Sequence, residues 1–257
     1  MEGTEIILVR HGQTVWNTQG RIQGAQDSPL TTKGIEAARA LGRRLHGTAK
    51  PIVAIYSSPL GRAWHTAELL AAQLAAPIAP ERCGALRERS FGCLEGLTSE
   101  EQQARYPKEV ARNNSRDPDY APPGGETRHA ARARALAGLE EIAKRHPGQR
   151  VLCVSHSGLL ATMMVAILNQ AIISNPKIRS LAHPNTAINM VRWSGDGWQV
   201  VLWGDVGEFA AAAPLPATER GSVRISHQTL LLIVAVAAAS GAAAVAGVAS
   251  LASRRRA

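Results

Sequence analysis

The chain has 257 residues, 45% of them hydrophobic, and its 29 Lys and Arg outnumber 20 Asp and Glu for a formal net charge of +9. Three cysteines, an odd number without C-x-x-C or Cys/His ligand spacing, argue against both a disulfide framework and a metal site, and they fit a reducing compartment. The positive balance comes without a basic-aromatic stripe, so nucleic acid is not an expected partner; anionic substrates and membrane lipids account for it more simply.

The first element is the continuous apolar run Ile6-Ile7-Leu8-Val9, of the kind a strand buried on both faces shows, and it ends in Arg10-His11-Gly12 with Asn17 a short turn later. A helical run is expected over 31–45. A second strand, Ile52-Val53-Ala54-Ile55-Tyr56, ends in Ser57-Ser58-Pro59 and leads into a helix over 59–75 that carries Arg62 in its opening turn. A Gly-punctuated loop, Leu86-Arg87-Glu88-Arg89-Ser90-Phe91-Gly92, follows, with Glu95-Gly96 just beyond. A long helix is expected over 127–146. A third apolar strand, Val151-Leu152-Cys153-Val154, then ends in Ser155-His156-Ser157-Gly158, and a helix over 159–168 follows it. Strands over 187–193 and 198–203, joined across Ser194-Gly195-Asp196-Gly197, read as a closing hairpin. Alternating strands and helices predict an α/β fold, a three-layer α/β/α sandwich with a mostly parallel sheet over residues 1–209. In such a sheet ligands bind at the carboxyl edge, where both histidines and both arginines then converge.

Taken together, the pieces Arg10-His11-Gly12-Gln13-Thr14 with Trp16-Asn17, Gln23-Gly24, Leu30-Thr31 with Gly34, Ser58-Pro59 with Arg62-Ala63 and Thr66-Ala67, Glu88-Arg89-Ser90-Phe91-Gly92, and Ser155-His156-Ser157-Gly158 resemble the histidine phosphatase superfamily. Its best-known branch is the cofactor-dependent phosphoglycerate mutases. The resemblance runs from about Thr4 to Trp203. It implies a phosphoglycerate mutase-like fold, His11 and Glu88 as catalytic residues, and Arg10, Asn17, Gln23, Gly24, Arg62 and His156 as substrate-binding residues. No metal or other cofactor is implied.

The chemistry of the residues supports the same roles. A phosphomonoester carries about two negative charges, and Arg10 and Arg62 supply planar forks suited to its oxygens. His11, with the proton on its other ring nitrogen, is expected to attack phosphorus in line and form a phosphohistidine; a backbone carbonyl in the following loop would hold that tautomer. His156 and Asn17 would donate to the phosphoryl oxygens. Glu88, the carboxylate matched by the resemblance, would protonate the leaving group and then activate water, with an exposed pairing to Arg89 as its bland alternative and Glu95 as a nearby rival. The remaining histidines read as surface or helix-end residues, with His65 of interest for its place near Arg62, and Trp16 is a candidate lining residue.

Composition changes after Phe209. Residues 210–228 read as an Ala/Pro-rich and then polar linker, 229–252 contains no charge and is long enough to cross a bilayer, and 253–257 is a basic tail. This combination looks like a tail anchor that leaves the catalytic domain facing the cytosol, with a mitochondrial, peroxisomal or plastid outer membrane as the expected address. A homodimer is a further option for partners. Compared with mutases of the superfamily, the chain lacks the W-R-R stretch after the Glu loop and has Ser157-Gly158 where mutases have G-N. These departures resemble the phosphatase branch, which includes plant-type mutase-like proteins and metal-independent phosphoserine phosphatases. Hydrolysis of a small phosphorylated metabolite is therefore expected, with mutase activity and a catalytically silent membrane-tethered adaptor as the alternatives.

Overall fold

The computed structural model describes residues 3–167 and 184–205, apart from 47, 49 and 196. In chain order it contains β1 (Thr4–Arg10), α1 (Val15–Thr18), α2 (Thr32–His46), β2 (Ile52–Ser57), α3 (Gly61–Ala71), β3 (Glu81–Arg82), α4 (Ser99–Arg105), α5 (Pro107–Asn114), α6 (Arg128–Arg145), β4 (Arg150–Ser155), α7 (Ser157–Ile167), β5 (Ile188–Trp193) and β6 (Trp198–Asp205). The strands form one sheet in the order β3-β2-β4-β1-β5-β6. β1, β2, β3 and β4 are mutually parallel, and β5 pairs antiparallel with both β1 and β6.

The apolar runs are continuous because both faces of the sheet are covered. Ile6 and Leu8 of β1 pack on one side with Leu139 and Ile142 of α6 and Leu159 and Met163 of α7. Ile7 and Val9 point the other way, toward Leu41 and Leu45 of α2 and Ala67 and Leu70 of α3. Burying one such Leu or Ile side chain contributes roughly 1.5–3 kcal/mol, so a strand with four of them is strongly committed to the centre of the sheet. The central pair β1 and β4 runs in register from Glu5 beside Arg150 to Arg10 beside Ser155. The residues that follow these two ends, His11 and His156, are therefore set side by side by the sheet itself.

The expected elements are present, with shifted ends. The helix expected over 59–75 stops at Ala71, where its last turn tightens: Gln73 N–H donates to Leu70 O and Leu74 N–H to Ala71 O, both i to i+3 bonds. Sequence reading placed no helices between Glu95 and Glu126, and the structure has α4 and α5 there. Among the described residues no helix is long and apolar enough to cross a membrane; the uncharged stretch 229–252 lies outside them.

Candidate active site

Thr66 of α3 sets the turn that carries His11. Its hydroxyl oxygen accepts Gly12 N–H at 3.0 Å and donates to Arg62 O at 2.7 Å, so helix and turn are tied at the residue after the histidine. Gly12 also meets Gly34 closely: a Cβ on Gly12 would lie 2.7 Å from Gly34 O, and one on Gly34 only 2.2 Å from Gln13 O. These two glycines allow α2 to start against the turn.

Within this frame the His11 ring is 3% exposed, and its Nδ1–H donates to Gly12 O at 2.8 Å. Nε2 is left as the acceptor, and Arg62 Nε–H donates to it at 3.3 Å. The tautomer expected from the sequence is thus the one the backbone imposes. Burial first, and then Arg10 and Arg62, hold the His11 imidazole well below its usual pKa, so it is neutral near pH 7.

His156 is 1% exposed, with its ring centroid 5.2 Å from that of His11. Its Nε2 lies 2.8 Å from Ser58 Oγ, while Nδ1 is buried without a hydrogen-bond partner. Burial and then Arg62, His11 and Arg10 keep this imidazole neutral as well. Arg62, 2% exposed, donates from Nη2 to Gly24 O at 2.8 Å and from Nη1 to Gln26 O at 2.6 Å and Asp27 Oδ1 at 3.1 Å. Asp27 in turn accepts the N–H groups of Gly61 and Arg62 and so caps α3 from a distant loop. Gly24 thus enters the site through its carbonyl, and Gln23 beside it is buried with its Oε1 unsatisfied.

Glu88 resolves differently from its bland alternative. It is 8% exposed, and its carboxylate accepts Gly158 N–H at 2.9 Å, in the first turn of α7, and Arg89 N–H at 3.0 Å. The Arg89 side chain points elsewhere, to Asn113 Oδ1 at 2.8 Å and Glu126 O at 3.2 Å. Gly158 leaves room for this contact: a Cβ there would fall 2.9 and 3.0 Å from the two Glu88 oxygens and press the carboxylate aside. The rival carboxylate is structural: Glu95 Oε1 accepts Ala25 N–H, Ser90 Oγ–H and Phe91 N–H at 2.9, 3.0 and 2.7 Å, joining two loops. Arg134 of α6 braces the Glu88 loop from behind by donating to Ala85 O and Arg87 O and by pairing with Glu126.

Asn17 Oδ1 accepts Thr14 N–H in the capping box of α1, which leaves its amide nitrogen for other work. The structure therefore gathers His11 after β1, His156 after β4 and Arg62 from the first turn of α3, with the Glu88 loop bringing its carboxylate against the start of α7. His65 lines a surface groove together with Arg62, Asp27 and Leu30. The Trp16 ring lies against Gly96. Three of the remaining histidines make contacts away from the site: His46 with Gln73 O, His146 with the Tyr56 hydroxyl and His129 with Asp119. Among the described residues no group of acidic, histidine or cysteine side chains is arranged to hold a metal.

Ser58 and Thr66 belong to the pieces that carry the resemblance but were given no role of their own, although their places at a strand end and one turn after Arg62 could have suggested one; Asn185 was not singled out. Asn185, which donates to His11 O at 2.8 Å, stands alone more than 170 positions from its partner, with no periodic or motif signal to mark it.

A model of the histidine phosphatase superfamily (branch 1) matches residues 6–206. The chain is 36% identical over 211 residues to a metal-independent phosphoserine phosphatase of Arabidopsis thaliana, covering 82% of this chain and 85% of the relative. It is 34% identical over 219 residues to a probable phosphoglycerate mutase, GpmB, of Salmonella choleraesuis, covering 81% and 96%. Among solved structures, Bacillus stearothermophilus YhfR aligns with a TM-score of 0.69 at 35% identity, covering 79% of this chain and 98% of that one. A mycobacterial glucosyl-3-phosphoglycerate phosphatase, Rv2419c, solved with VO3, aligns with a TM-score of 0.67 at 28% identity, covering 78% and 99%.

Proposed function

The chain belongs to the histidine phosphatase superfamily, and on that premise we propose that it hydrolyses a small phosphomonoester without a metal, through a phosphohistidine on His11. The observation that carries this reading is the tautomer: with Nδ1–H held by Gly12 O, the Nε2 lone pair is the reactive one. Arg62 Nε–H, which occupies that lone pair in the free site, turns to a phosphoryl oxygen when phosphorus takes its place. Arg10, the Asn17 amide nitrogen and His156 complete the set of donors as charge builds on the transferring group. For His156 Nδ1 to donate, its proton must sit there, so Nε2 accepts from the Ser58 hydroxyl at 2.8 Å.

Glu88 acts next. In its protonated form it gives the proton to the leaving oxygen as the P–O bond breaks. The resulting carboxylate then takes a proton from the water that attacks the phosphohistidine, which returns His11 and Glu88 to their starting states and releases inorganic phosphate. Gln23 and Gly24 shape the wall beside Arg62. Relatives named for phosphoserine and glucosyl-3-phosphoglycerate support a phosphorylated hydroxyl on a small acidic metabolite as substrate class. The uncharged composition of 229–252 supports a membrane tether, and membrane fractionation with and without those residues tests it.

Full-length protein assayed in EDTA with phosphoserine, 3-phosphoglycerate and p-nitrophenyl phosphate should release phosphate, His11→Ala should lower the rate by roughly 10³-fold or more, and Glu88→Gln by about 10²–10⁴-fold. Appearance of 2-phosphoglycerate in the presence of 2,3-bisphosphoglycerate, without phosphate release, would establish a mutase instead. Silence in every assay would support the adaptor reading.

A further inference from the structure

The chain returns to the sheet through a turn at residues 184–187, closed by Ala187 N–H donating to Pro184 O at 3.1 Å. Two successive residues of that turn hold two successive carbonyls at the end of β1. Thr186 N–H donates to Arg10 O at 3.1 Å, and the Asn185 side-chain amide donates to His11 O at 2.8 Å. The same Asn185 nitrogen lies 3.5 Å from Asn17 Oδ1, which already accepts Thr14 N–H at 3.1 Å. Two donors converging on one Asn17 atom identify it as the oxygen, and the Asn17 NH₂ group is consequently turned away from both.

The backbone here departs from what the local sequence favours. Thr186 has φ 60, in the left-handed region that a β-branched residue seldom enters. Its hydroxyl donates to Asn185 O at 2.6 Å, inside the turn. Strain of this kind persists where surrounding contacts over-determine it, and here those contacts are the two carbonyls that flank the nucleophile.

We propose that Asn185 is a positioning residue for phosphoryl transfer at His11: its amide fixes the nucleophile's backbone and sets the direction in which Asn17 presents its protons. The inference rests on the reading of His11 as nucleophile. Asn185 acts on it from a different side from Gly12 and Thr66, which set the ring's tautomer and the next peptide. Its role needs a side chain that donates twice. An aspartate of the same shape would place a carboxylate against the His11 carbonyl and the Asn17 oxygen, and only its protonated form has a hydrogen to donate.

The test measures kcat and KM for p-nitrophenyl phosphate in the full-length protein, with His11→Ala as the reference for the nucleophile. A displacement near 1 Å costs about 10²-fold in rate, so Asn185→Ala is expected to lower kcat by roughly 10–100-fold, with KM within about threefold because the arginines still hold the anion. Asn185→Asp should be at least as impaired at pH 7, and its activity relative to wild type should rise on going to pH 5 as the carboxyl facing two oxygens becomes protonated. In the double variant Asn17→Ala/Asn185→Ala the loss should be smaller than the product of the single losses, since part of the Asn185 effect runs through Asn17. Unchanged kcat in Asn185→Ala, or an Asn185→Asp to wild-type ratio flat with pH, would overturn the proposal. Retained turnover in His11→Ala would instead remove the nucleophile reading, and this inference with it.

Discussion

The ends of β1 and β4 and the connection over 95–126 border the same carboxyl edge but are held in different ways. At the strand ends many contacts are buried and short: glycines at 12 and 34 where two backbones meet, glycine at 158 against the Glu88 carboxylate, and the threonine hydroxyl at 66 between a turn and a helix. The connection is held by partly exposed ion pairs and helix caps. Arg21 pairs with Glu101 at 2.5 Å with both side chains about a third exposed, and Thr98 and Glu101 form the capping box of α4. Chemistry common to many phosphate esters needs the first kind of support, and recognition of one leaving group is free to vary on the second.

The sharpest way to break this contrast is Gly158→Ala. The added methyl displaces the Glu88 carboxylate, whereas alanine in a first helical turn is otherwise as good as glycine or better by about 0.5–1 kcal/mol. Turnover should fall by roughly 10²-fold on loss of a positioned acid while the melting temperature holds. A parallel fall in both, measured by phosphate release and calorimetry, would mean that the glycine serves packing alone.

Acid sensitivity should also concentrate at the strand ends. His11 and His156 are held well below their usual pKa by burial and by the neighbouring arginines, so the native state stays unprotonated where the unfolded chain takes up protons. No stability is lost above pH ~6.5; below it, unfolding is favoured by up to about 1.4 kcal/mol per pH unit for each histidine, until the depressed native values are reached. Chemical denaturation between pH 7.5 and 5 should show this slope, and His156→Gln should halve it. A slope unchanged in that variant would place the acid sensitivity elsewhere.

The smallest effect belongs to the connection. Glu101→Gln removes one partly exposed ion pair and should leave the melting temperature nearly unchanged, with kcat unaltered and any change confined to KM. A tenfold loss of kcat would show that the connection is part of the catalytic frame.

The strand ends were legible in the sequence for the reason they are rigid. Continuous apolar runs mark strands buried on both faces, and the polar residues just after them have only one place to go, so His11, Arg62 and His156 could be brought together from one dimension. Glu88 was found by resemblance, and the pairing with the Arg89 side chain that stood as its bland alternative is not what holds it: the carboxylate meets the backbone N–H of Gly158, 70 positions away, while the Arg89 guanidinium goes to Asn113 and Glu126. The helices α4 and α5 were missed although the Thr98 to Glu101 spacing is a capping-box signal and Pro107 opens α5, because at 7 and 8 residues each is short and carries few apolar side chains from which to read a period. Asn185 was invisible for a third reason. Its function comes from one side-chain amide meeting a carbonyl across the sheet, and single long-range hydrogen bonds leave no pattern in sequence.

The central claim is that His11 carries the phosphoryl group. Rapid acid-free quenching of the full-length protein with ³²P-labelled phosphoserine and 3-phosphoglycerate in EDTA, followed by peptide mapping, tests it directly. The account predicts an acid-labile, alkali-stable label on the peptide containing His11, formed and lost at rates consistent with turnover and absent in His11→Ala. Turnover without that label, or a label on another residue, would contradict it.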